Sequence, residues 1–438
     1  MRRFALEKLE QWKGRKDRKP LLVRGARQVG KTWLMKAFGQ KAFARTAYIN
    51  FDNNAAMRAV FDGDYDVRRL LAAFQIECGF KINSADTLII LDEIQEVPKA
   101  LASLKYFCEN APEYAIVAAG SLLGLADRQG TGFPVGKVMF LDLYPMSFSE
   151  FLLATGNEAL LDALKGGDWP LITAMKTKYV DLLRQYFFVG GMPEAVGRFA
   201  ATEDFAAVRE VQERLLIAYE NDFSKHAPAE IVPRIRLVWN SIPAQLAKEN
   251  RKFFYGSLKT GARAKDFELA IQWLCDAGLV YRIERVSKPE MPLASYAGGG
   301  FKLYTADVGL LAAKSGLDVR TLLEGSRIFT EFKGALTEQF VQQQMRAELS
   351  VTPFYWSADR GDAEIDLLFQ QGSKIIPVEV KAAENLKAKS LVVYRDKFQP
   401  SVSVRVSMSD YRDEGWLINC PLYAVGEMVK IMAGKKQH

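Results

Sequence analysis

Histidine and cysteine are both scarce in this chain. Its 438 residues contain two histidines, His226 and His438, and four cysteines that lie far apart. A histidine-rich metal site, or a catalytic triad with a histidine base, is therefore not expected. No cysteine spacing matches a zinc site or a redox dithiol. The cysteines (Cys78, Cys108, Cys275 and Cys420) are expected to be reduced core residues.

Long hydrophobic runs are also missing. The longest uncharged apolar run, 114–126, is shorter than the roughly 20 residues that a membrane-spanning helix needs. The basic N-terminus lacks the apolar core and the small-residue cleavage site of a secretory signal. We therefore expect a protein without a membrane segment, and the expected compartment is cytoplasmic.

The remaining composition is that of an ordinary globular protein. Hydrophobic residues make up 49% of the chain and charged residues 25%, and the length suggests about two to four domains. The net charge is +7, and most of the excess lies in residues 1–150, which hold 22 basic and 17 acidic side chains. The first twenty residues alone hold eight basic and three acidic ones, which is consistent with a solvated helix face.

The pattern of elements predicts an α/β multidomain protein. Residues 20–140 alternate β-rich runs with helical stretches, as in a parallel sheet with crossover helices on both faces. The predicted strands are LLVRG, TAYINFD, TLIILDE, YAIVAAGS and KVMFLDL. These elements belong to a first region, residues 1–150. Residues 151–228 are predicted to form a helical lid or connector, and residues 229–326 are predicted to form a winged-helix-like domain. Residues 327–438 are predicted to form a further α/β domain.

A phosphate-binding motif follows the first predicted strand. It fits GxxxxGK[ST] and consists of Gly25, Ala26, Arg27, Gln28, Val29, Gly30, Lys31 and Thr32. The glycines let backbone N–H groups point inward around phosphates, and a helix N-terminus adds positive potential. We expect Lys31 to bridge the β- and γ-phosphates of ATP and Thr32 to bind Mg²⁺.

Two carboxylates follow the apolar run 88–91. Ligands of open α/β sheets bind at the carboxyl ends of the strands, so we expect Asp92 to hold Mg²⁺ and Glu93 to polarise the attacking water. Ser121, at the end of the next predicted strand, has two interpretations. It either contacts the γ-phosphate or the water, or it caps a helix or turn.

These motifs resemble those of a known family. GARQVGKT, LDEIQ, AGSLLG and LYPMSFSEF are similar to segments of bacterial and archaeal AAA-superfamily ATPases that carry a C-terminal domain of unknown function. FVGGMPEAV, WLCDAGLVYRIERV, PLASY and FKLYTADVGLLA extend the resemblance over nearly the whole chain. The resemblance implies ATP binding and hydrolysis, with the sites described above at the Walker A, Walker B and sensor positions.

A basic stretch lies in the middle region. Between residues 234 and 265 there are eight basic side chains and a single acidic one. Such a segment could follow a nucleic-acid backbone, and the predicted contacts are Arg251, Lys252, Lys259, Arg263 and Lys265. The alternative is a lid whose basic side faces nucleotide or an acidic neighbouring domain.

The C-terminal region carries a second group of carboxylates. Asp366 lies in one predicted strand, and Glu379 and Lys381 lie two residues apart on the next, which places them on one face. Glu338, on the preceding helix, is expected to complete the group. This D…ExK arrangement resembles the PD-(D/E)XK, restriction-endonuclease-like nucleases. The resemblance implies that the carboxylates bind Mg²⁺ or Mn²⁺ and that Lys381 activates water.

Three functions are consistent with these patterns. The first is an ATPase coupled to a nuclease-like domain that acts on or binds DNA. The second is a nucleotide-controlled switch whose inactive C-terminal domain binds a protein partner. The third is a DNA-binding ATPase with vestigial carboxylates. Self-association remains open.

Overall fold

A computed structural model gives the fold and describes residues 1–120, 133–248, 251–324, 330–358, 363–384 and 387–434. The chain forms two compact units. The N-terminal unit comprises Arg3–Tyr144 and Asp276–Leu279. The C-terminal unit comprises Pro145–Cys275 and Val280–His438, together with the first two residues of the chain.

The N-terminal unit alternates strands and helices, and all five predicted strands are confirmed. The strands are β1 (Leu21–Arg24), β2 (Arg45–Asn50), β3 (Thr87–Asp92), β4 (Ala115–Ala119) and β5 (Met139–Asp142). The helices in the described part of this unit are α1 (Ala5–Lys13), α2 (Lys31–Ala42), α3 (Ala55–Val60), α4 (Val67–Cys78) and α5 (Pro98–Asn110).

The five strands form one parallel sheet in the order β2-β3-β4-β1-β5. Strands β3 and β4 are buried along their whole length, as expected for apolar strands covered on both faces. Because neighbouring strands run in the same direction, β1 and β3 end at the same edge of the sheet. This edge is where the motifs that follow β1 and β3 meet.

Local sequence signals fix several helix ends in this unit. The side chain of Asp66 accepts hydrogen bonds from the backbone N–H groups of Arg68 and Arg69 and so caps the start of α4. Gly79 ends the same helix in the left-handed conformation, with φ of 74°. Helix α2 begins directly after Gly30, which is also left-handed.

Helices dominate the chain from residue 145 to residue 276, as predicted. They are α6 (Phe148–Ala154), α7 (Glu158–Gly166), α8 (Trp169–Ala174), α9 (Lys176–Val189), α10 (Pro193–Thr202), α11 (Phe205–His226), α12 (Val232–Leu246) and α13 (Ala264–Asp276). Later helices are α14 (Val308–Lys314), α15 (Val319–Glu324), α16 (Thr330–Ala347), α17 (Lys389–Phe398) and α18 (Met428–Ala433). Helix α6 starts with a capping box between Ser147 and Glu150.

The C-terminal unit contains a mixed eight-stranded sheet. Its strands are β6 (Val280–Val286), β7 (Ala297–Thr305), β8 (Phe354–Ser357), β9 (Glu364–Gln371), β10 (Lys374–Val380), β11 (Ser403–Ser407), β12 (Arg412–Asp413) and β13 (Leu417–Pro421). Their order is β12-β13-β11-β10-β9-β8-β6-β7. The predicted hairpin of the D…ExK region is present as β9 and β10, which pair antiparallel.

This sheet crosses the boundary predicted after residue 326. The antiparallel pair β6 and β7, predicted as the wing of a winged helix, continues into the C-terminal strands because β6 pairs in parallel with β8. The register places Arg285 beside Tyr355 and Val286 beside Trp356. Regions 229–326 and 327–438 therefore share one sheet, whereas the four-part division and the winged-helix assignment stay predictions.

A close approach of backbones joins α9 to α14. Gly191 donates a hydrogen bond of 2.6 Å from its backbone N–H to Oδ2 of buried Asp307. A Cβ on Gly190 would lie 2.1 Å from Oδ1 of Asp307, and one on Gly309 would lie 2.6 Å from the backbone N of Gly190. Glycine is therefore required at this joint, which explains the glycines in FVGGMPEAV and TADVGLLA.

Among the helices that the structure describes, none combines the length and the apolar character that crossing a bilayer demands.

Candidate functional site

The phosphate-binding loop is shaped by two glycines. Gly25 has φ of 149°, and a Cβ there would lie 2.2 Å from the carbonyl O of Leu143. Gly30 has φ of 93° and ends the loop where α2 begins. Both positions favour glycine because both have a positive φ. At Gly25 the nearby carbonyl also leaves no room for a side chain, and at Gly30 the helix begins directly afterwards. The loop between them contains Ala26, Arg27, Gln28 and Val29, as the motif predicts.

Lys31 lies inside this loop. Its Nζ donates hydrogen bonds to the carbonyl oxygens of Gly25, at 3.0 Å, and Ala26, at 2.8 Å. Burial lowers the pKa of Lys31 to about 8, although the nearby carboxylates of Glu93 and Asp92 oppose that shift. The ammonium group is therefore placed where phosphate oxygens could replace the carbonyl groups as acceptors.

Thr32 and Asp92 come together at the common edge of the sheet. The Oγ1 of Thr32 donates a hydrogen bond of 2.7 Å to Oδ2 of Asp92. The hydroxyl of Tyr48, on β2, donates to the same oxygen at 3.0 Å. A hydroxyl and a carboxylate are oxygen ligands of the kind that Mg²⁺ prefers. The motif did not predict Tyr48, whose only sequence signal is its place near the end of β2.

Glu93 follows Asp92 in an unusual backbone conformation. Its φ is 51° and its ψ is 43°, in the left-handed region that few residues other than glycine adopt. Its Oε2 accepts a hydrogen bond of 2.7 Å from the side-chain amide of Gln95. Gln95 lies in the segment LDEIQ, but the sequence analysis assigned it no role. The sequence signal for its role is its position two residues after Glu93.

Gly278 lies beside the phosphate-binding loop and was not identified by the sequence motifs. It follows α13 with φ of 70°, and a Cβ there would lie 3.0 Å from the backbone N of Ala26 in the phosphate-binding loop. The sequence signal for this position is the glycine that follows the predicted helix in WLCDAGLV. Ser121, the predicted sensor, lies outside the described residues.

The carboxylates of the C-terminal unit lie on neighbouring strands. Oδ2 of Asp366, on β9, accepts a hydrogen bond of 2.7 Å from the backbone N–H of Val380 on β10. Glu379 is buried, and its Oε1 lies 2.8 Å from Nζ of Lys381. The structure therefore brings Asp366, Glu379 and Lys381 to one place, as the strand pattern predicted.

Glu338, on α16, also reaches this place, but its partners are unexpected. Its Oε1 forms an ion pair with Arg251, and its Oε2 accepts a hydrogen bond of 2.6 Å from the hydroxyl of Tyr304. Nζ of Lys302, on β7, lies 3.6 Å from Oε2 of Glu338 and 2.6 Å from Oε1 of Glu364. The carboxylate of Glu338 is thus surrounded by cationic and hydrogen-bonding groups of the chain.

The pKa values of Asp366 and Glu338 are shifted in opposite directions by this environment. Burial and the neighbouring charge of Glu338 raise the pKa of Asp366 well above its usual range. Burial by itself would also raise the pKa of Glu338, but Arg251 and Lys302 outweigh it, so this pKa falls below the usual range. The raised pKa of Asp366 and the lowered pKa of Glu338 fit a neutral Asp366 beside an ionised Glu338.

The carboxyl groups of Glu364, Asp366 and Glu379 line a cavity of about 710 Å³. Its wall includes Arg251, Lys252, Glu364, Asp366, Glu379 and Lys381. Among the described residues, Oε2 of Glu379 is buried without a hydrogen-bond partner. Within the same part of the chain, no group of three or more acidic, histidine or cysteine side chains is arranged to hold a metal ion. The expectation that Glu338, Asp366 and Glu379 hold a metal ion stays a prediction.

The basic residues predicted to contact nucleic acid are not equivalent. Lys259, Arg263 and Lys265 are exposed, and Lys252 is partly buried. Arg251, by contrast, retains 18% of its side-chain exposure and points to Glu338. The predicted contact of Arg251 with nucleic acid stays a prediction, and in this structure its guanidinium group is engaged by the ion pair with Glu338.

Three family models match consecutive parts of the chain. Residues 17–152 match an AAA domain, residues 180–321 match a domain of unknown function (DUF8612), and residues 333–423 match another (DUF4143). No curated protein matches the chain. The AAA match covers the phosphate-binding loop and the strand that ends in Asp92 and Glu93.

Several solved structures are similar to this chain at low identity. The Walker-type ATPase PABY2304 of Pyrococcus abyssi is 16% identical, with a TM-score of 0.45, over 70% of this chain and 94% of that one. The Orc1 protein of Aeropyrum pernix, in complex with DNA, is 14% identical, with a TM-score of 0.28, over 71% and 91%. A RuvB variant of Thermotoga maritima is 15% identical, with a TM-score of 0.26, over 66% and 87%. TM-scores below 0.5 do not establish a shared architecture.

The parallel sheet, the loop geometry and the family match agree for the N-terminal region. Residues 17–152 match an AAA domain and contain a five-stranded parallel sheet with a P-loop after its first strand, an arrangement for which ATP binding is expected. The rest of the chain contains two regions that match domains of unknown function.

Proposed function

We propose that the P-loop domain binds ATP together with Mg²⁺ and hydrolyses it. The observation that carries this proposal is the 2.7 Å contact between Thr32 and Asp92, because it unites oxygen groups from the two motifs that hold Mg²⁺ in P-loop enzymes. The donor set fits the ion, since a hydroxyl and a carboxylate are hard oxygen ligands. When bound, Mg²⁺ neutralises charge on the phosphates.

The chain's own residues then have separate tasks. Backbone N–H groups between Gly25 and Gly30 bind the phosphates, and Nζ of Lys31 exchanges its carbonyl acceptors for phosphate oxygens. The carboxylate of Glu93 orients the attacking water and takes its proton. Gln95 holds that carboxylate in place through the bond to Oε2.

Two variants test this proposal. Lys31→Ala should lose tight ATP binding, because the variant lacks the ammonium group that lies inside the loop. Glu93→Gln should keep ATP binding but stop turnover, because an amide cannot accept the proton. Binding is measured with a fluorescent ATP analogue and turnover by phosphate release. Equal turnover by the wild type and Glu93→Gln would contradict the role of Glu93.

We further propose that ATP turnover is coupled to a nuclease-like C-terminal region that acts on or binds DNA. Support comes from the exposed basic residues Lys259, Arg263 and Lys265, since such groups bind phosphates in a salt-dependent way. Changing these three to alanine should reduce the slope of log affinity against log salt by about 3. Changing Lys81, Arg198 and Lys225, which are equally exposed, is the matched control. Equal slopes for both triple variants would contradict this interface.

The alternative is a nucleotide-controlled switch with an inactive C-terminal domain that binds a protein partner. The pairing of Glu338 with Arg251 and Lys302 favours it, because it occupies a carboxylate needed for metal. Cleavage of linear, branched and single-stranded DNA with Mg²⁺ or Mn²⁺, with and without ATP, separates the two. Cleavage lost in both Asp366→Ala and Lys381→Ala would support the nuclease. No cleavage by a wild type with normal ATP turnover would support the switch.

A further inference from the structure

The C-terminal carboxylates have counter-ions that belong to the chain itself. The side chain of Lys302 is fully buried, and its ammonium group lies between Glu364 and Glu338. Arg251 adds a second cation at Glu338. A buried charge is tolerated only when opposite charges and hydrogen bonds compensate it. These two cations are therefore part of how the carboxylates are accommodated in the core.

The place of Arg251 depends on a glycine. Gly334 lies one helical turn before Glu338 on α16, and a Cβ at Gly334 would lie 2.5 Å from Nη2 of Arg251. The guanidinium group therefore packs directly against the helix backbone, where any larger residue would displace it. The hydrogen bond from Tyr304 to Glu338 fixes the other side of the same carboxylate.

The charged groups around the cavity disfavour the binding of a divalent cation. The acidic groups on or beside the cavity wall are Glu338, Glu364, Asp366 and Glu379, and the basic groups are Arg251, Lys252, Lys302 and Lys381. A metal ion would enter a place that already holds as many basic as acidic groups. Like charges repel more strongly where water is excluded, as it is around the fully buried ammonium group of Lys302. This agrees with the finding that the described acidic side chains form no metal-binding group.

We propose that Arg251 and Lys302 take the place of a divalent metal ion at the D…ExK carboxylates. The C-terminal cavity is then a metal-free site whose carboxylates are held by resident cations. This proposal does not depend on ATP hydrolysis, because every residue that carries it belongs to the C-terminal unit. It is compatible with DNA binding by the C-terminal region and incompatible with metal-dependent cleavage there.

Manganese binding tests the proposal without any assay of activity. Full-length protein is titrated with Mn²⁺ in the absence of nucleotide, and free Mn²⁺ is followed by electron paramagnetic resonance. The wild type and Asp366→Asn should bind Mn²⁺ equally. The double variant R251M/K302M should gain one site that binds at least ~100-fold more tightly than the wild type. That gain should disappear when Asp366→Asn is added.

Two further variants complete the experiment. Arg405→Met removes another buried arginine of the same sheet, one that pairs with Glu414, and it should gain no Mn²⁺ site. Gly334→Ala displaces the guanidinium group of Arg251 without removing its charge, so it should gain a weaker site than the double variant.

Two outcomes would overturn the proposal. One is Mn²⁺ binding by the wild type that Asp366→Asn abolishes, because the carboxylates would then hold a metal despite the cations. The other is no gain in either R251M/K302M or Gly334→Ala when their thermal melts show folded protein. The first outcome can be read from the wild type and Asp366→Asn even if the double variant does not fold.

Discussion

Gln95 donates a hydrogen bond of 2.7 Å from its side-chain amide to Oε2 of Glu93. This contact holds the carboxylate next to the P-loop in a residue whose backbone is left-handed, with φ of 51°. A carboxylate that must orient water acts only when its direction is fixed. Gln95 is therefore a positioning residue, acting through Glu93.

Gln95→Ala should reduce kcat for ATP hydrolysis by about 10-fold, because Glu93 then loses its orienting bond. The affinity for ATP should stay within about two-fold, since Gln95 acts through Glu93, whose proposed role is in turnover and not in binding. Steady-state kinetics and nucleotide titration separate the two parameters. Gln370→Ala, which removes an exposed amide of the C-terminal unit, should change neither. A loss of affinity equal to the loss of kcat would contradict a positioning role.

Gly278→Ala should weaken ATP binding by about 10-fold. The added Cβ would lie 3.0 Å from the backbone N of Ala26 and would push on the loop that binds phosphates. Gly415→Ala is the matched control, because Gly415 has a similar φ of 79° but no atom within 4 Å of the added Cβ. Both variants carry the same backbone strain, so only the contact with the loop distinguishes them. Equal ATP affinities would show that Gly278 does not shape the loop.

We expect the stability of the protein to depend on pH through Glu348. Burial, reinforced by the charge of Glu150, raises its pKa from 4.5 to about 7, although hydrogen bonds from Ser147 and Ser149 oppose the shift. The folded state therefore binds the proton more tightly than the unfolded state, and stability falls as pH rises from about 4.5 to about 7. Above this range the ionised carboxylate costs about 1–3 kcal/mol.

Glu348→Gln should remove this cost. The thermal midpoint of the variant should exceed that of the wild type at pH 8, and the two should converge near pH 4.5. Glu210→Gln, which changes an exposed residue of α11, should shift the midpoint by the same small amount at both pH values. A variant that is less stable than the wild type at pH 8 would contradict the assignment.

Asp307→Asn should destabilise the C-terminal unit by about 2–4 kcal/mol. The buried carboxylate accepts hydrogen bonds from the backbone N–H groups of Gly191 and Leu310 and from the side-chain amide of Gln343. An asparagine would turn an N–H group toward one of these donors. The control is Asp204→Asn, because Asp204 caps α11 at an exposed site where asparagine is an equally good cap. Denaturant titration should show a loss only for Asp307→Asn.

The P-loop domain was largely predictable because its signals are local. The loop motif is a run of eight residues, and the apolar strand before Asp92 and Glu93 is contiguous with them. Parallel strands end at one edge of the sheet, so two separate motifs were expected to meet there. The contact between Thr32 and Asp92 fulfils that expectation.

The C-terminal site was predictable only in part, because its decisive contact is not local. Asp366, Glu379 and Lys381 were placed together by strand periodicity and a short turn. Arg251 and Glu338 are 87 residues apart, and the sequence assigned one to nucleic acid and the other to metal. Their pairing depends on how α16 packs beside the segment after α12, which no periodicity encodes. Lys302 was missed because a lysine in an apolar strand looks like an exposed residue.

The shared sheet limits how the chain can be divided for experiments. A fragment that starts at residue 327 would lack β6, so β8 would expose an unpaired edge that invites aggregation. The same fragment would lack Arg251, Lys302 and Tyr304, and Glu338 would lose its buried partners. Failure of such a fragment to cut DNA, or to fold, would therefore reveal nothing about the carboxylates. A cut near Pro145 keeps the sheet and the carboxylate cluster in one polypeptide.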